Sequence, residues 1–128
     1  MIDHAGIRVA DIERSRRFFT EALAPLGYRV LREHTISGIG FGKERPDFWI
    51  KQGTPGPRVH VAFAADEREI VDAFYRAALA GGGRDDGPPG VRMEYNPNYY
   101  GAFVLDPDGH SIEAVCRKPA AAGYCSAK

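Results

Sequence analysis

Apolar residues in this chain alternate in short runs and then recur at helical spacing, and the order of the two patterns repeats. In Ile2–Val9 the side chains of Asp3, Ala5, Ile7 and Val9 point one way and those of Ile2, His4, Gly6 and Arg8 the other, which is the period of a strand. Asp11 has the chemistry of an N-cap, and the spacing of Ile12, Phe19, Ala22, Leu23 and Leu26 predicts a helix to about Ala24, ended by Pro25 and Gly27. Three short strands come next, Tyr28–Glu33, Ile36–Gly42 and Asp47–Lys51, punctuated by Gly38, Gly40 and Pro46.

Beyond a Gly- and Pro-rich linker at residues 53–57 the order begins again. Val59–Ala64 reads as a strand. Asp66 with Glu69 forms a capping-box pattern that opens a second helix, with Ile70, Val71, Phe74, Ala77 and Ala78 inward and Gly81-Gly82-Gly83 as its stop. The Gly-, Pro- and Asn-rich stretch Asp85–Asn98 reads as a long loop with at most one short strand. Tyr99–Leu105 and Ser111–Arg117 form a hairpin about the turn Asp106-Pro107-Asp108-Gly109, and the chain from Pro119 reads as a frayed tail.

The repetition extends to residue identity. At an offset of 56, His4 falls on His60, Glu13 on Glu69, Phe18 on Phe74, Ala22-Leu23-Ala24 on Ala78-Leu79-Ala80, and Gly27 on Gly83. Each half is β-α-β-β-β, so the fold class is α+β, with helices covering one face of largely antiparallel sheet. The organisation is one domain at residues 1–118, built of module one (1–52), the linker (53–57) and module two (58–118), with a tail at 119–128.

Composition narrows the partners. Seventeen basic residues balance 17 acidic ones, so the basic footprint of nucleic-acid binding is lacking. No apolar run approaches a membrane span, and no signal-peptide pattern precedes Ile2. A disulfide between Cys116 and Cys125 would staple only a tail, so reduced thiols in a cytoplasmic protein are expected.

The polar strand faces carry the chemistry. If Val59, Val61 and Phe63 pack under a helix, His60, Ala62 and Ala64 face the other way, as His4, Gly6 and Arg8 do in the first copy. Small residues two positions beyond each histidine leave room beside the imidazole. On the last strand Ile112, Ala114 and Cys116 suit the packed face, which turns Ser111, Glu113 and Val115 out with the histidines. A carboxylate in a Val-Ile-rich strand is costly to bury unless paired or metal-bound, and two imidazoles with one carboxylate form a metal-binding set. His34 and His110 lack this setting and read as exposed or turn residues, while Phe41 and Phe103 read as core.

Three segments resemble the vicinal oxygen chelate superfamily, which includes glyoxalase I, bleomycin-resistance proteins and extradiol dioxygenases. They are Ile2-Asp3-His4, Ala10-Asp11-Ile12-Glu13-Arg14-Ser15 leading to Phe18-Phe19, and Leu105-Asp106-Pro107-Asp108-Gly109-His110-Ser111-Ile112-Glu113. The resemblance implies two βαβββ modules whose mixed sheets curl into a cup about a divalent metal, with helices on the outer face. Carried over, its ligands are His4, His60 and Glu113, and the fourth position falls at about Trp49, which cannot ligate; glyoxalase I has a carboxylate or amide there. Asp47 shares the face of Trp49 but lies closer to the turn. The catalytic tyrosine of the dioxygenases would fall near Phe103, with Tyr99 and Tyr100 close by, only one of which can face the cup.

The function implied by this resemblance is that of a metal-dependent enzyme chelating vicinal oxygens of a small organic substrate, of lyase, isomerase or ring-cleaving dioxygenase type. The ion is iron, zinc, nickel or manganese. Glu113 and Tyr100 are the catalytic candidates, with Glu94 a further possible base. Arg8, Trp49, Tyr99 and Tyr100 line the substrate pocket, Arg8 to pair with a substrate carboxylate or with Glu113. Relatives often form homodimers, some by exchanging modules, and a homodimer is expected. The alternatives are a non-catalytic small-molecule binding protein of bleomycin-resistance type, favoured by the aromatic side chains, and a structural or regulatory module with a vestigial site.

Overall fold

The computed structural model describes residues 1–35 and 38–120. Module one is β1 (Ala5–Val9), α1 (Ile12–Leu23), a 3₁₀ turn (Ala24–Leu26), β2 (Arg29–His34), β3 (Gly38–Gly42) and β4 (Pro46–Gln52). Module two is β5 (His60–Ala64), α2 (Arg68–Ala80), β6 (Arg84–Val91), β7 (Tyr100–Leu105) and β8 (Ser111–Cys116). Each module forms a four-stranded mixed sheet, ordered β1-β4-β3-β2 and β5-β8-β7-β6, in which the first strand runs parallel to the last and the other pairs are antiparallel. No helix among the described residues is long and apolar enough to cross a membrane.

The start of α1 is set by Asp11, whose carboxylate accepts hydrogen bonds from the amides of Glu13 and Arg14. The 3₁₀ turn that follows α1 is closed by Gly27, whose left-handed backbone (φ 84°) lets its amide reach the carbonyl of Ala24. The second helix departs from expectation. Its N-cap is Glu67 and carries no side-chain cap, so Asp66 and Glu69 do not form the capping box.

The stretch expected as a loop contains β6, eight residues long with Pro88 and Pro89 inside it. Both prolines are tolerated because β6 is an edge strand, paired only with β7. Its register also slips between Asp85 and Gly87 and again between Gly87 and Gly90, so residues lacking an amide donor fall at irregularities. The hairpin turn forms as expected. Gly109 (φ 88°) donates to the Asp106 carbonyl, and the Asp106 carboxylate accepts from the amides of Asp108 and His110.

Both helices pack into one core. Phe18 and Phe19 of α1 meet edge-to-face at 4.9 Å, and Phe19 lies 5.1 Å from Phe48 of β4. Phe63 of β5 crosses between the modules, 5.3 Å from Phe48 and 5.6 Å from Tyr28, both nearly perpendicular. On the far side Val71, Phe74 and Ala78 of α2 share this core with Tyr100, Ala102, Val104, Ile112 and Ala114. The inward residues expected on β1 and β8, Ile7, Val9, Ile112, Ala114 and Cys116, are buried in this core, although β8 is buried along its whole length. Val59 is the exception, because it precedes β5 and stays 38% exposed. Cys116 is a buried thiol; Cys125 and the tail from residue 121 lie outside the described residues, as do Ile36 and Ser37.

His110 also departs from expectation, being 1% exposed rather than a surface turn residue. Its Nδ1 accepts from the amide of Val59 at 3.1 Å, so Nε2 carries the proton and donates to the carbonyl of Arg8 at 3.3 Å. Asp108 in the same turn accepts from the amide of Ala10 and from Arg14. One turn of module two is thus fastened to the β1–α1 junction of module one.

Gly83 lies where the two modules meet, between Phe18 and Val104. A Cβ there would stand 2.5 Å from Val104 and 2.6 Å from Phe18, neither of which can retreat within the core. Gly83→Ala should therefore lower the unfolding free energy by about 1–3 kcal/mol, the range for overpacking, as measured by urea denaturation. An unchanged midpoint would contradict this packing.

Candidate metal centre and substrate clefts

Strand alternation turns one set of polar residues onto the face of each sheet away from the helices, and each set lines a cleft. The second-module cleft holds His60, Glu113, Ser111, Tyr99, Phe103, Glu94, Tyr95, Asp86, Arg58 and Arg117. Glu113 is its centre. Its side chain is 2% exposed, yet His60 beside it is half exposed. Nε2–H of His60 donates to one carboxylate oxygen at 2.9 Å, and the Tyr99 hydroxyl donates to the other. The Ser111 hydroxyl meets Nδ1 of His60 at 2.8 Å, which fixes the ring so that Nε2 points at the carboxylate. The Phe103 ring stacks on His60 at 6.1 Å.

The surroundings of Tyr99 are apolar and cationic. Tyr95 packs edge-to-face at 4.9 Å and the Arg117 guanidinium sits over the ring, also at 4.9 Å. Burial first, and then the hydrogen bond to Glu113, push its phenol up to about 12. Tyr100 turns the opposite way. It is fully buried in the core with its hydroxyl donating to Asp72 of α2 at 2.6 Å, so of the two tyrosines only Tyr99 reaches the cleft. This removes Tyr100 as a catalytic or pocket residue. Phe103, expected in the core, instead faces the cleft.

The first-module cleft, of about 740 Å³, is lined by Asp3, His4, Gly6, Ile7, Arg8, His34, Arg45, Pro46, Trp49 and Lys51. Nδ1–H of His4 donates to Asp3 at 2.8 Å, leaving Nε2 as the ring's acceptor nitrogen. Asp3 also accepts from Arg45 at 3.0 Å; His4 first, and Arg45 after it, hold its carboxyl below the usual carboxylate range. Asp3 and Ser111 thus each hold a histidine through its Nδ1, Asp3 as acceptor and Ser111 as donor. Neither stands out in the sequence, although Asp3 precedes His4 directly. Asp47 does not line this cleft. It faces the gap between modules, where it accepts from the Tyr28 hydroxyl at 2.9 Å; burial, and then this bond, push that phenol to about 12.

The pairing register identifies which residues correspond. Two positions beyond His60, Ala62 pairs with Glu113; two positions beyond His4, Gly6 pairs with Trp49. Trp49 therefore occupies in module one the place of Glu113 in module two. The neighbouring strand contributes Gly40 opposite Trp49 and Phe103 opposite Glu113.

The two clefts share no lining residue, and among the described residues no group of three His, Cys, Asp or Glu side chains is placed to hold one ion. Within one chain His60 and Glu113 come together and His4 does not join them, so the convergence expected from the sequence is not formed by a single copy. The pair itself suits a metal. Donors about 2.0–2.2 Å from one ion and at right angles stand about 3 Å apart, close to the 2.9 Å found between Nε2 and Oε1.

The family model for the glyoxalase/bleomycin resistance protein/dioxygenase superfamily matches residues 1–114. The chain belongs to this superfamily. A probable lactoylglutathione lyase of Vibrio parahaemolyticus is 30% identical over 94% of this chain and 93% of its own length. The lactoylglutathione lyase of Escherichia coli is 27% identical over 94% and 95%. Among solved structures, a glyoxalase/bleomycin resistance protein from Albidiferax ferrireducens superposes with a TM-score of 0.77 at 29% identity, covering 91% of this chain and 98% of that one. The paired βαβββ modules are the fold of this superfamily.

Tyr28 and Tyr99 give a pH prediction. An unfolded phenol titrates near 10, and both folded values are raised to about 12. The stabilisation they lend is complete below about pH 10 and is lost as pH rises through about 12. An absorbance titration of the six tyrosines should show a late phase that shrinks in both Tyr28→Phe and Tyr99→Phe. A single transition near the ordinary phenol value would count against both hydrogen bonds.

Proposed function

We propose that this protein is a metal-dependent enzyme of the glyoxalase superfamily acting on a small organic substrate with two adjacent oxygens. It works as a homodimer whose sites each combine His60 and Glu113 of one copy with His4 of the other. The observation that carries this reading is the Glu113 carboxylate, 2% exposed at the floor of an open cleft with the His60 Nε2 beside it. A buried carboxylate needs a cation or a set of donors, and one placed against an imidazole in a solvent-open cleft suits a divalent ion. His4, with Nδ1 tied to Asp3, is the third donor, and its place on the other sheet is why a second copy is required.

When bound, the ion supplies Lewis-acid polarisation of the substrate's two oxygens. The protein's part is to orient and to handle protons. Ser111 would accept from Nδ1–H of His60 once Nε2 is a ligand, Asp3 holds the tautomer of His4, and Tyr99 stays a neutral donor on the outer oxygen of Glu113. Glu94, on the wall of the same cleft, is the candidate proton acceptor. The names of the relatives favour lyase-type chemistry over ring cleavage, as does Phe103, which has no hydroxyl where a dioxygenase would need one. Trp49 in place of a fourth donor separates the site from that of glyoxalase I, and iron, zinc, nickel and manganese all suit the three donors that remain.

Trp49 also favours a second reading, in which the clefts sequester a flat molecule without catalysis. Metal content decides between them. Protein purified without a metal-affinity tag should carry about one ion per chain, with His60→Ala, Glu113→Gln and His4→Ala each abolishing it. If ligands come from two copies, co-expressing His4→Ala with Glu113→Gln should restore roughly a quarter of the wild-type content, because half the dimers are mixed and each mixed dimer regains one intact site. No recovery would place all three ligands in one chain, and no ion in the wild-type protein would leave the sequestering reading.

A further inference from the structure

The first-module cleft carries more than a ligand histidine. Trp49 packs against Gly40, where a Cβ would stand 2.9–3.0 Å from two indole carbons, and the His34 ring lies 6.1 Å away, tilted by 36°. Only the absence of a side chain at Gly40 lets the indole rest there, while Gly6, its partner on β1, adds no side chain on the other flank. The ring is therefore a closely seated, partly exposed plate in the cleft wall.

The charges around this plate are one-sided. Asp3 is the sole acid in the lining and is already engaged by His4 and Arg45. Arg8 and Lys51, which face each other in the β1–β4 register, take part in no ion pair among the described residues. They stand two strand positions beyond the Gly6–Trp49 pair, a rise of about 7 Å. A cleft that sets two uncompensated cations beside an aromatic plate selects for a negative group attached to a flat ring.

We infer that the substrate is an aromatic acid, with its ring stacked on Trp49, its acidic oxygens between Arg8 and Lys51, and its reacting oxygens at the His4 end. This rests on the reading of the cleft as the substrate side of a metal-dependent site, but its parts all lie in module one and can be tested without the ion. The chain has a single tryptophan, so its indole fluorescence reports Trp49 alone.

The test is a titration of metal-free Glu113→Gln protein with 4-nitrobenzoate, a ring that quenches indole on contact, beside 4-nitrobenzyl alcohol as its neutral counterpart and cyclohexanecarboxylate as an acid without the ring. Saturable quenching by the nitrobenzoate is expected, about tenfold weaker for the alcohol and in Arg8→Gln or Lys51→Gln protein, the loss typical of one charge-assisted hydrogen bond. Cyclohexanecarboxylate should displace the probe only weakly. Equal quenching by acid and alcohol, or quenching unchanged in both variants, would overturn the assignment. A positive result in protein whose wild type binds no metal would leave the aromatic-acid site standing and sink only the catalytic reading.

Discussion

A carboxylate almost wholly removed from water is the constraint around which the second module is arranged. Glu113 sits in a strand whose six residues are all buried, and a lone ionised group in such a place carries a desolvation penalty of several kcal/mol. Both its oxygens are therefore engaged, one by His60 and one by Tyr99. Tyr99 is held by Tyr95 and Arg117, and His60 by Ser111 and Phe103, so the outer ring of the cleft exists to orient two side chains. Of the pair at the centre, only His60 keeps substantial contact with solvent. On the proposed reading His60 would bind an ion after its proton moves from Nε2 to Nδ1, where Ser111 would accept its hydrogen bond, and the Glu113 carboxylate would keep its present aim.

The joint between modules decides what one chain can do. Phe63 inserts against Phe48 and Tyr28, and the turn at Asp108 and His110 is bonded to the chain at Arg8, Ala10 and Arg14. These contacts unite the helix-covered faces in one core and leave the polar faces as separate clefts. The same His110 that fastens the turn also fixes the carbonyl of Arg8, so the strand that presents His4 and Arg8 is braced from module two. On the proposed reading each cleft holds part of a ligand set, which an assembly of two copies would complete.

Much of this is legible in the sequence because strands and repeats leave strong local marks. The offset of His4 onto His60 marks the corresponding strands, and period-two alternation alone places Glu113 with His60. The same alternation allows only one of Tyr99 and Tyr100 into the cleft, but not which; the choice is made by Asp72, a buried helix residue that accepts from Tyr100. Pro88 and Pro89 mask β6, since bulges that excuse prolines are a property of the pairing and not of the composition. His110 looks like a surface turn residue in the sequence because its partners, Val59 and Arg8, are 51 and 102 residues away. For the same reason the placement of one module against the other, on which the separation of His4 from His60 depends, has no signature in local pattern.

The two halves differ most where their correspondence matters most. Module two places an acid on its last strand and a large ring, Phe103, on the neighbour; module one places the large ring, Trp49, on its last strand and no side chain, Gly40, on the neighbour. Volume is thus redistributed between adjacent strands while the chemistry changes from a carboxylate to an aromatic surface. Restoring an acid alone by Trp49→Glu would leave an empty space over Gly40 and a carboxylate without the donors that Tyr99 provides to Glu113. The exchange therefore involves several residues together, and on the proposed reading it would turn one half of a duplicated frame toward holding an ion and the other toward holding what that ion acts on.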